Sequence, residues 1–322
     1  MLMTKWNKIC GILLMSMLCA CSGEDTPTNI NVAQNQSGQN EFPISQNAEL
    51  IFSSSSIAQI VKKSKFEPVE TQYFMANSKG ELYLYLEIKY SDYDIVSDSM
   101  ETYKYTQSQY NENGSELLHT TAVVSQYGLK TISNSETEYY DYSTGIQTIS
   151  RKSLTESESS TDEDVNWTTY LSSKSTSIVD AERTESIYTQ SVTKEFLGKS
   201  EKGREYILHH IYDGKESGNT HVYVDDDGFV TEASVYNSDN SLSGAYLYTR
   251  MPNAPESILK SSPCRKMVVA ENSSYEYYNF SCENVVNTMD DYKLIVKETY
   301  KYKSKDQVHT QESHYAFKRF EY

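Results

Sequence analysis

Leu82-Tyr83-Leu84-Tyr85-Leu86-Glu87-Ile88-Lys89 decides the fold class. Leu82, Leu84, Leu86 and Ile88 occupy alternate positions, with Tyr83, Tyr85, Glu87 and Lys89 between them. Successive side chains of an extended strand point to opposite faces, so the octet reads as a β-strand with one buried and one wetter face. A one-residue slip would carry four aliphatic side chains into water, so the register is strongly specified. The carboxyl end repeats the pattern. Tyr292, Leu294, Val296, Glu298, Tyr300 and Tyr302 share one face, and Lys293, Lys297, Lys301 and Lys303 lie opposite. Ser304-Lys305-Asp306 then turns the chain into a last strand from about Val308 to Tyr322, which makes a long terminal hairpin.

Between these ends, turn signals recur. Asn113-Gly114 is a strong hairpin signal because both residues tolerate positive φ. Asp213-Gly214, Ser217-Gly218, Asp227-Gly228 and Ser143-Thr144-Gly145 are similar. Tyrosine is the compositional outlier, at 28 residues against nine Phe and two Trp. Tyr favours strands and suits a half-wet face, since its hydroxyl reaches water while its ring packs. The fold class expected is mainly β, an antiparallel meander with one or two short helices. One helix is expected near 55–64, with Ile57, Ile60 and Val61 on one face. The other is expected from Asn253-Ala254-Pro255-Glu256 to about Lys260. Ser153 to Asp164, almost all Ser, Thr, Glu and Asp, reads as an exposed loop or hairpin tip. Met251 to Cys264 carries Pro252, Pro255 and Pro263. Either stretch is a candidate subdomain boundary.

Tyr223 to Leu242 and Tyr110 to Leu118 share an order of tyrosine, Asx-Gly turn and strand. In this they resemble the tyrosine-aspartate hairpin repeats of bacterial surface proteins, a likeness of architecture over roughly 50 residues.

The amino terminus carries the address. Lys5 and Lys8 precede an apolar run from Ile9 to Ala20. A membrane span needs about 20 apolar residues, so this run reads as a cleaved signal peptide. Leu18-Cys19-Ala20-Cys21 resembles the lipobox of bacterial lipoproteins, with Leu at −3, a small residue at −1 and Cys at +1. The resemblance covers residues 1–25. It implies cleavage before Cys21, a diacylglyceryl thioether on Cys21 and an acylated amino terminus. Ser22 at +2, where Asp would imply inner-membrane retention, implies the outer membrane, and Glu24-Asp25 resembles the acidic export tag of surface lipoproteins. The alternative is an ordinary secretory signal. Residues 1–20 are thus expected to be signal, 21–48 a tether rich in Asn, Gln, Ser and Thr, and 49–322 the β-rich domain.

Loss of Lys5 and Lys8 leaves 27 basic residues against 45 acidic ones, a net charge of −18. Such a surface repels nucleic acid and anionic headgroups. Cys10 and Cys19 leave with the signal and Cys21 takes the lipid, so Cys264 and Cys282 remain. Two cysteines in an exported protein read as a disulfide. A thiol catalyst or metal site would want a closer spacing such as CxxC.

Signals for catalysis are weak. The sequence has no nucleotide loop, GxSxG elbow or HExxH helix. His209 and His210 are adjacent in an expected strand and so face opposite sides, as do His309 and His314 in theirs. His119 and His221 are isolated. Asp225-Asp226-Asp227-Gly228 lacks the alternate spacing of a calcium loop and reads as a hairpin tip. Ser191-Val192-Thr193-Lys194 has an SxxK spacing but reads as strand, without companion motifs. Trp167 is the one tryptophan left after Trp6 is lost, which disfavours a glycosidase cleft. No catalytic residue, metal site or cofactor is expected. The expected function is a non-enzymatic, lipid-anchored outer-membrane protein whose Tyr-rich sheet meets a protein or glycan partner. A carrier of lipid or another apolar ligand is the alternative.

Overall fold

The protein is described by a computed structural model covering residues 63–141, 143–162, 164–165, 167–251, 254, 264–268, 275–302 and 308–322. The signal, Cys21, the tether and nearly all of both expected helices lie outside these residues. Ser64, the last residue of the first expected helix, is already strand.

The strands, in chain order, are β1 (Ser64–Ala76), β2 (Leu82–Ser97), β3 (Met100–Tyr110), β4 (Glu116–Tyr127), β5 (Lys130–Tyr140), β6 (Gln147–Asp162), β7 (Trp167–Val179) and β8 (Glu182–Ser200). They continue with β9 (Gly203–Tyr212), β10 (Lys215–Val224), β11 (Val230–Asn237), β12 (Leu242–Tyr248), β13 (Arg265–Val268), β14 (Tyr275–Asn287), β15 (Asp291–Tyr302) and β16 (Val308–Glu321). All belong to one 16-stranded sheet, ordered β13 back to β1, then β16, β15 and β14. Every strand lies beside its neighbours in sequence, and β16 returns antiparallel to β1. The result is an up-and-down barrel, closed except for a seam between β13 and β14, where the ladder is not bonded.

Strand pairing follows the turn chemistry. Asn113-Gly114 links β3 to β4, and Gly114 sits at φ 81°. Asp213-Gly214 links β9 to β10, with both residues at positive φ. Ser217-Gly218 departs from expectation, since it lies inside β10 rather than at a turn. Gly218 is a bulge at φ 147°, and a Cβ there would overlap the Tyr236 carbonyl oxygen, so only glycine lets β11 approach.

Ser153–Asp164 also departs from expectation, because most of it is β6, paired along both edges. Its composition suggested solvent, but its order is that of a strand. Ser153, Thr155 and Ser157 take one face and Lys152, Leu154 and Glu156 the other, the first three half-buried and the second three exposed. Small hydroxyl side chains thus take the half-buried face and longer ones the exposed face. The sheet thus continues through one of the two candidate subdomain boundaries.

The strand register defines the barrel's two faces, because directly paired residues point the same way. One row runs Leu294, Tyr315, Thr71, Ile88, Gln107, Thr120, Thr137 across β15, β16 and β1 to β5. The face containing it also carries Val124, Leu208 and Val222, each at most 1% exposed. This is the inner face. On β4 it alternates cleanly, with Thr120, Ala122 and Val124 buried and Thr121 and Val123 exposed. On β2 the expected polarity holds at Ile88 and Lys89, buried and exposed respectively. Leu82 lies at the strand's first position and is exposed, and Leu84 and Leu86 are half-buried.

Two apolar clusters hold the wall in shape. Val192, Tyr206, Leu208, Val222, Val224 and Ala233 pack where β8–β11 curl, and Val165 and Trp167 cover them. Tyr292, Leu294, Val296 and Phe317 form the second cluster on β15 and β16, with Cys264 and Met251 against them from the far side of the seam. Full burial of one such Leu or Val contributes about 1.5–3 kcal/mol.

Candidate binding surface on the inner face

A set of tyrosines lines the inside, while others such as Tyr127 and Tyr170 are exposed on the outer face. Tyr73, Tyr90, Tyr105, Tyr188, Tyr206, Tyr246, Tyr292 and Tyr315 all share the inner face by register. They interact edge to face and tilted, as with Tyr73 and Tyr315, whose ring centres lie 6.1 Å apart, and Tyr90 and Tyr105, at 6.2 Å. Burial pushes the hydroxyls of Tyr73, Tyr90 and Tyr315 above their ordinary pKa. They stay neutral and able to donate hydrogen bonds.

Between the aromatic sectors, β5–β7 present hydroxyl side chains inward. Thr131, Ser133, Ser135, Ser153, Thr155, Ser157 and Ser175 are half-buried there. Thr120 and Thr137 share a hydrogen bond of 2.9 Å, and Thr155 and Ser175 one of 3.1 Å. An inner wall of Ser, Thr and Tyr offers many donors and acceptors and few aliphatic contacts over this sector.

The outer face is charged. Lys89, Lys104, Lys152, Glu156, Lys174 and Lys297 are exposed on it in mid-strand. Neighbouring strands complement one another, with Lys152 3.5 Å from Glu136, Lys174 3.7 Å from Glu185 and Lys297 3.1 Å from Glu312. Outward aliphatics such as Val123, Ile132 and Leu154 are exposed on the same face as these charges. A membrane-spanning barrel needs an apolar belt about 25 Å tall, and a Lys at its midplane costs about 2–4 kcal/mol. Among the described residues no helix is long and apolar enough to cross a membrane.

Two buried carboxylates share one lysine near the start of β1. Glu67 and Glu101 are 3% and 4% exposed. Lys65 Nζ lies 2.8 Å from Glu67 and also donates a hydrogen bond to Glu101. The Glu67 oxygen at that distance is in ion-pair contact without hydrogen-bond alignment. Burial and the facing Glu101 charge push the Glu67 carboxyl up to about 7, against the pull of Lys65. Burial alone would lower the Lys65 ammonium, but the two carboxylates outweigh it and hold it well above its ordinary range. Tyr93 closes the cluster, donating to the Pro68 carbonyl at 2.6 Å and packing 4.7 Å from the Phe320 ring. Lys65 and Glu101 are 36 residues apart, and no sequence spacing announces them.

The residues singled out from sequence are placed as follows. Cys264 and Cys282 are joined as a disulfide with Cα atoms 5.7 Å apart. Cys264 lies just before β13 and Cys282 in β14, so the bridge spans the seam. Its loop is of the length for which chain entropy gives about 3 kcal/mol. Thiol titration of the processed, unfolded and unreduced protein should find no free thiol, and Cys282→Ala should lower stability by about 2–5 kcal/mol in denaturant titration. Two titratable thiols, or an unchanged midpoint, would refute the clasp.

His209 and His210 do face opposite sides. Outside, His209 sits between Glu216 at 3.1 Å and Glu195 at 3.3 Å, and the Glu216 bond raises its pKa. Inside, His210 meets Thr220 at 2.7 Å, and burial lowers its pKa. His309 and His314 are likewise split, with Tyr300 opposite the first and Ile295 opposite the second. Ser191 and Lys194 lie three apart on β8, on opposite faces, and Lys194 is held by Asp162 at 2.9 Å and Asp164 at 2.8 Å. Asp225–Asp227 form a hairpin tip in which Asp225 accepts from the Asp227 and Phe229 backbone amides and Arg250 reaches Asp227 at 2.5 Å.

No protein-family model matches the sequence, and no curated protein matches it significantly. Among solved structures, the chain is similar to a porin-like protein from Bacteroides uniformis ATCC 8492, with 11% identity over 78% of this chain and 96% of that one. The TM-score is 0.24, too loose a superposition to carry an assignment.

Proposed function

We propose that this chain is a non-enzymatic, lipid-anchored barrel that stands in water at the outer membrane and binds a glycan on its inner face. The observation that carries this reading is the half-buried wall of Ser and Thr on β5–β7, flanked by inward tyrosines. Hydroxyl side chains answer sugar hydroxyls, and aromatic rings cover the apolar faces of sugar rings. An apolar-ligand carrier would want aliphatic side chains along that sector, where the chain places hydroxyls. The charged outer wall supports attachment by lipid rather than by spanning strands, and Leu18 to Cys21 supply the attachment signal.

Titration calorimetry of the detergent-solubilised processed protein against an oligosaccharide panel is the test, with mass spectrometry of extracted lipid alongside. Saturable binding to at least one glycan, with no stoichiometric lipid, is the expected result. Stoichiometric lipid and no glycan binding would favour the carrier instead. For the anchor, Cys21→Ser should release the protein from membranes or leave it unprocessed, and labelled palmitate should not enter it. Label in that variant would overturn the lipid assignment.

A further inference from the structure

We propose that Arg265 and the tyrosines around it form a subsite for the carboxylate of an acidic sugar. The proposal rests on the glycan reading above and names the ligand class. Arg265 pairs with Tyr248 across β12 and β13, and Tyr246 pairs with inner-face Ala233, so Arg265 is an inner-face residue. Yet it is exposed, whereas Tyr246 and Tyr248 are half-buried. Water therefore reaches the inner face beside the seam. The guanidinium lies 5.6 Å from the centre of the Tyr246 ring and hydrogen-bonds the Tyr248 hydroxyl. Its charge is also felt across the seam by Tyr73, Tyr315 and Glu298.

Those features match the two halves of a uronic acid. A planar guanidinium presents forked donors to a carboxylate, and a ring-stacked arginine is already oriented to do so. The tyrosine rings offer apolar surface to the pyranose. Glu298 is an acid that feels the guanidinium charge, and burial pushes its carboxyl up while the Gln311 amide and Arg265 pull it down. Where ionised, it opposes an incoming anion.

The probes are an oligoglucuronate and the neutral oligoglucoside of equal length, titrated into the processed protein. Wild type should prefer the acidic probe by about ten-fold or more, as expected for one charge-assisted contact. Arg265→Gln should remove that preference, Arg265→Lys should keep part of it, and Glu298→Gln should strengthen it. Circular dichroism of the Arg265 variants should match wild type. Equal binding of both probes by wild type, or a preference that survives Arg265→Gln, overturns this subsite and leaves the glycan reading standing. Failure to bind either probe or any member of the panel overturns both.

Discussion

Lys65→Met should cost about 3–5 kcal/mol of folding stability at pH 8, because it strands two buried carboxylates without their counter-charge. The loss should shrink toward pH 5. Glu67 titrates near 7 in the fold against an ordinary 4.5, so between those values the native state holds a proton that the unfolded chain does not. A raised carboxyl pKa means that stability is gained as pH falls through that window and lost as pH rises through it. Removing Lys65 takes away the charge that pulls the Glu67 carboxyl down, which widens the window and steepens the dependence. The double variant Lys65→Met/Glu67→Gln, which removes one charge of each sign, should recover much of the loss. Denaturant titrations at the two pH values decide the matter. A loss under about 1 kcal/mol at both would show that the lysine is not the counter-ion the geometry implies.

Leu294→Ala should cost about 2–5 kcal/mol, since the side chain is fully buried among Tyr292, Val296, Phe317 and the seam disulfide. Ile295→Ala, one residue on and facing outward, should cost about 1 kcal/mol or less. The pair tests the inner and outer assignment where burial is complete. Leu84, the natural choice from the sequence alone, is only half-buried and would report more weakly. Equal losses for the two alanine variants would contradict the register on which both faces depend.

Period-two alternation at Leu82–Lys89 and Tyr292–Lys301, with Asx-Gly turns between, was enough to read an antiparallel meander, because each of these signals is local. The Cys264–Cys282 pairing was readable as the pair left once the cysteines of the expected signal and lipobox are set aside. Closure was not readable. That β16 comes back to β1 depends on the summed twist and stagger of all the strands, which no window of residues encodes. The β6 segment was misread because its Ser, Thr and Glu content resembles a loop, whereas its alternation of small inward and large outward side chains is what the backbone follows. Tyrosine was rightly tied to a half-wet face, but which side of a closed wall is half-wet depends on closure. Lys65, Glu67 and Glu101 meet only through the folded wall, and Arg265 meets Tyr248 only through the pairing of β12 with β13.

The return of β16 to β1 brings Lys63 and Tyr322 together, each donating its backbone N–H to the other's carbonyl, at 3.2 and 3.0 Å. The described strands thus follow one another around the wall, and the first and last of them lie side by side. All other pairings join consecutive strands and form over short stretches of chain, which makes them quick to find. The β1–β16 ladder alone joins residues some 250 apart in sequence. Folding then has a natural order, with hairpins accumulating along the chain and the ring shutting last, once the final strand has emerged. A topological ring has no privileged starting strand. Ends joined between Tyr322 and Lys63 and reopened at a far turn would leave every ladder intact.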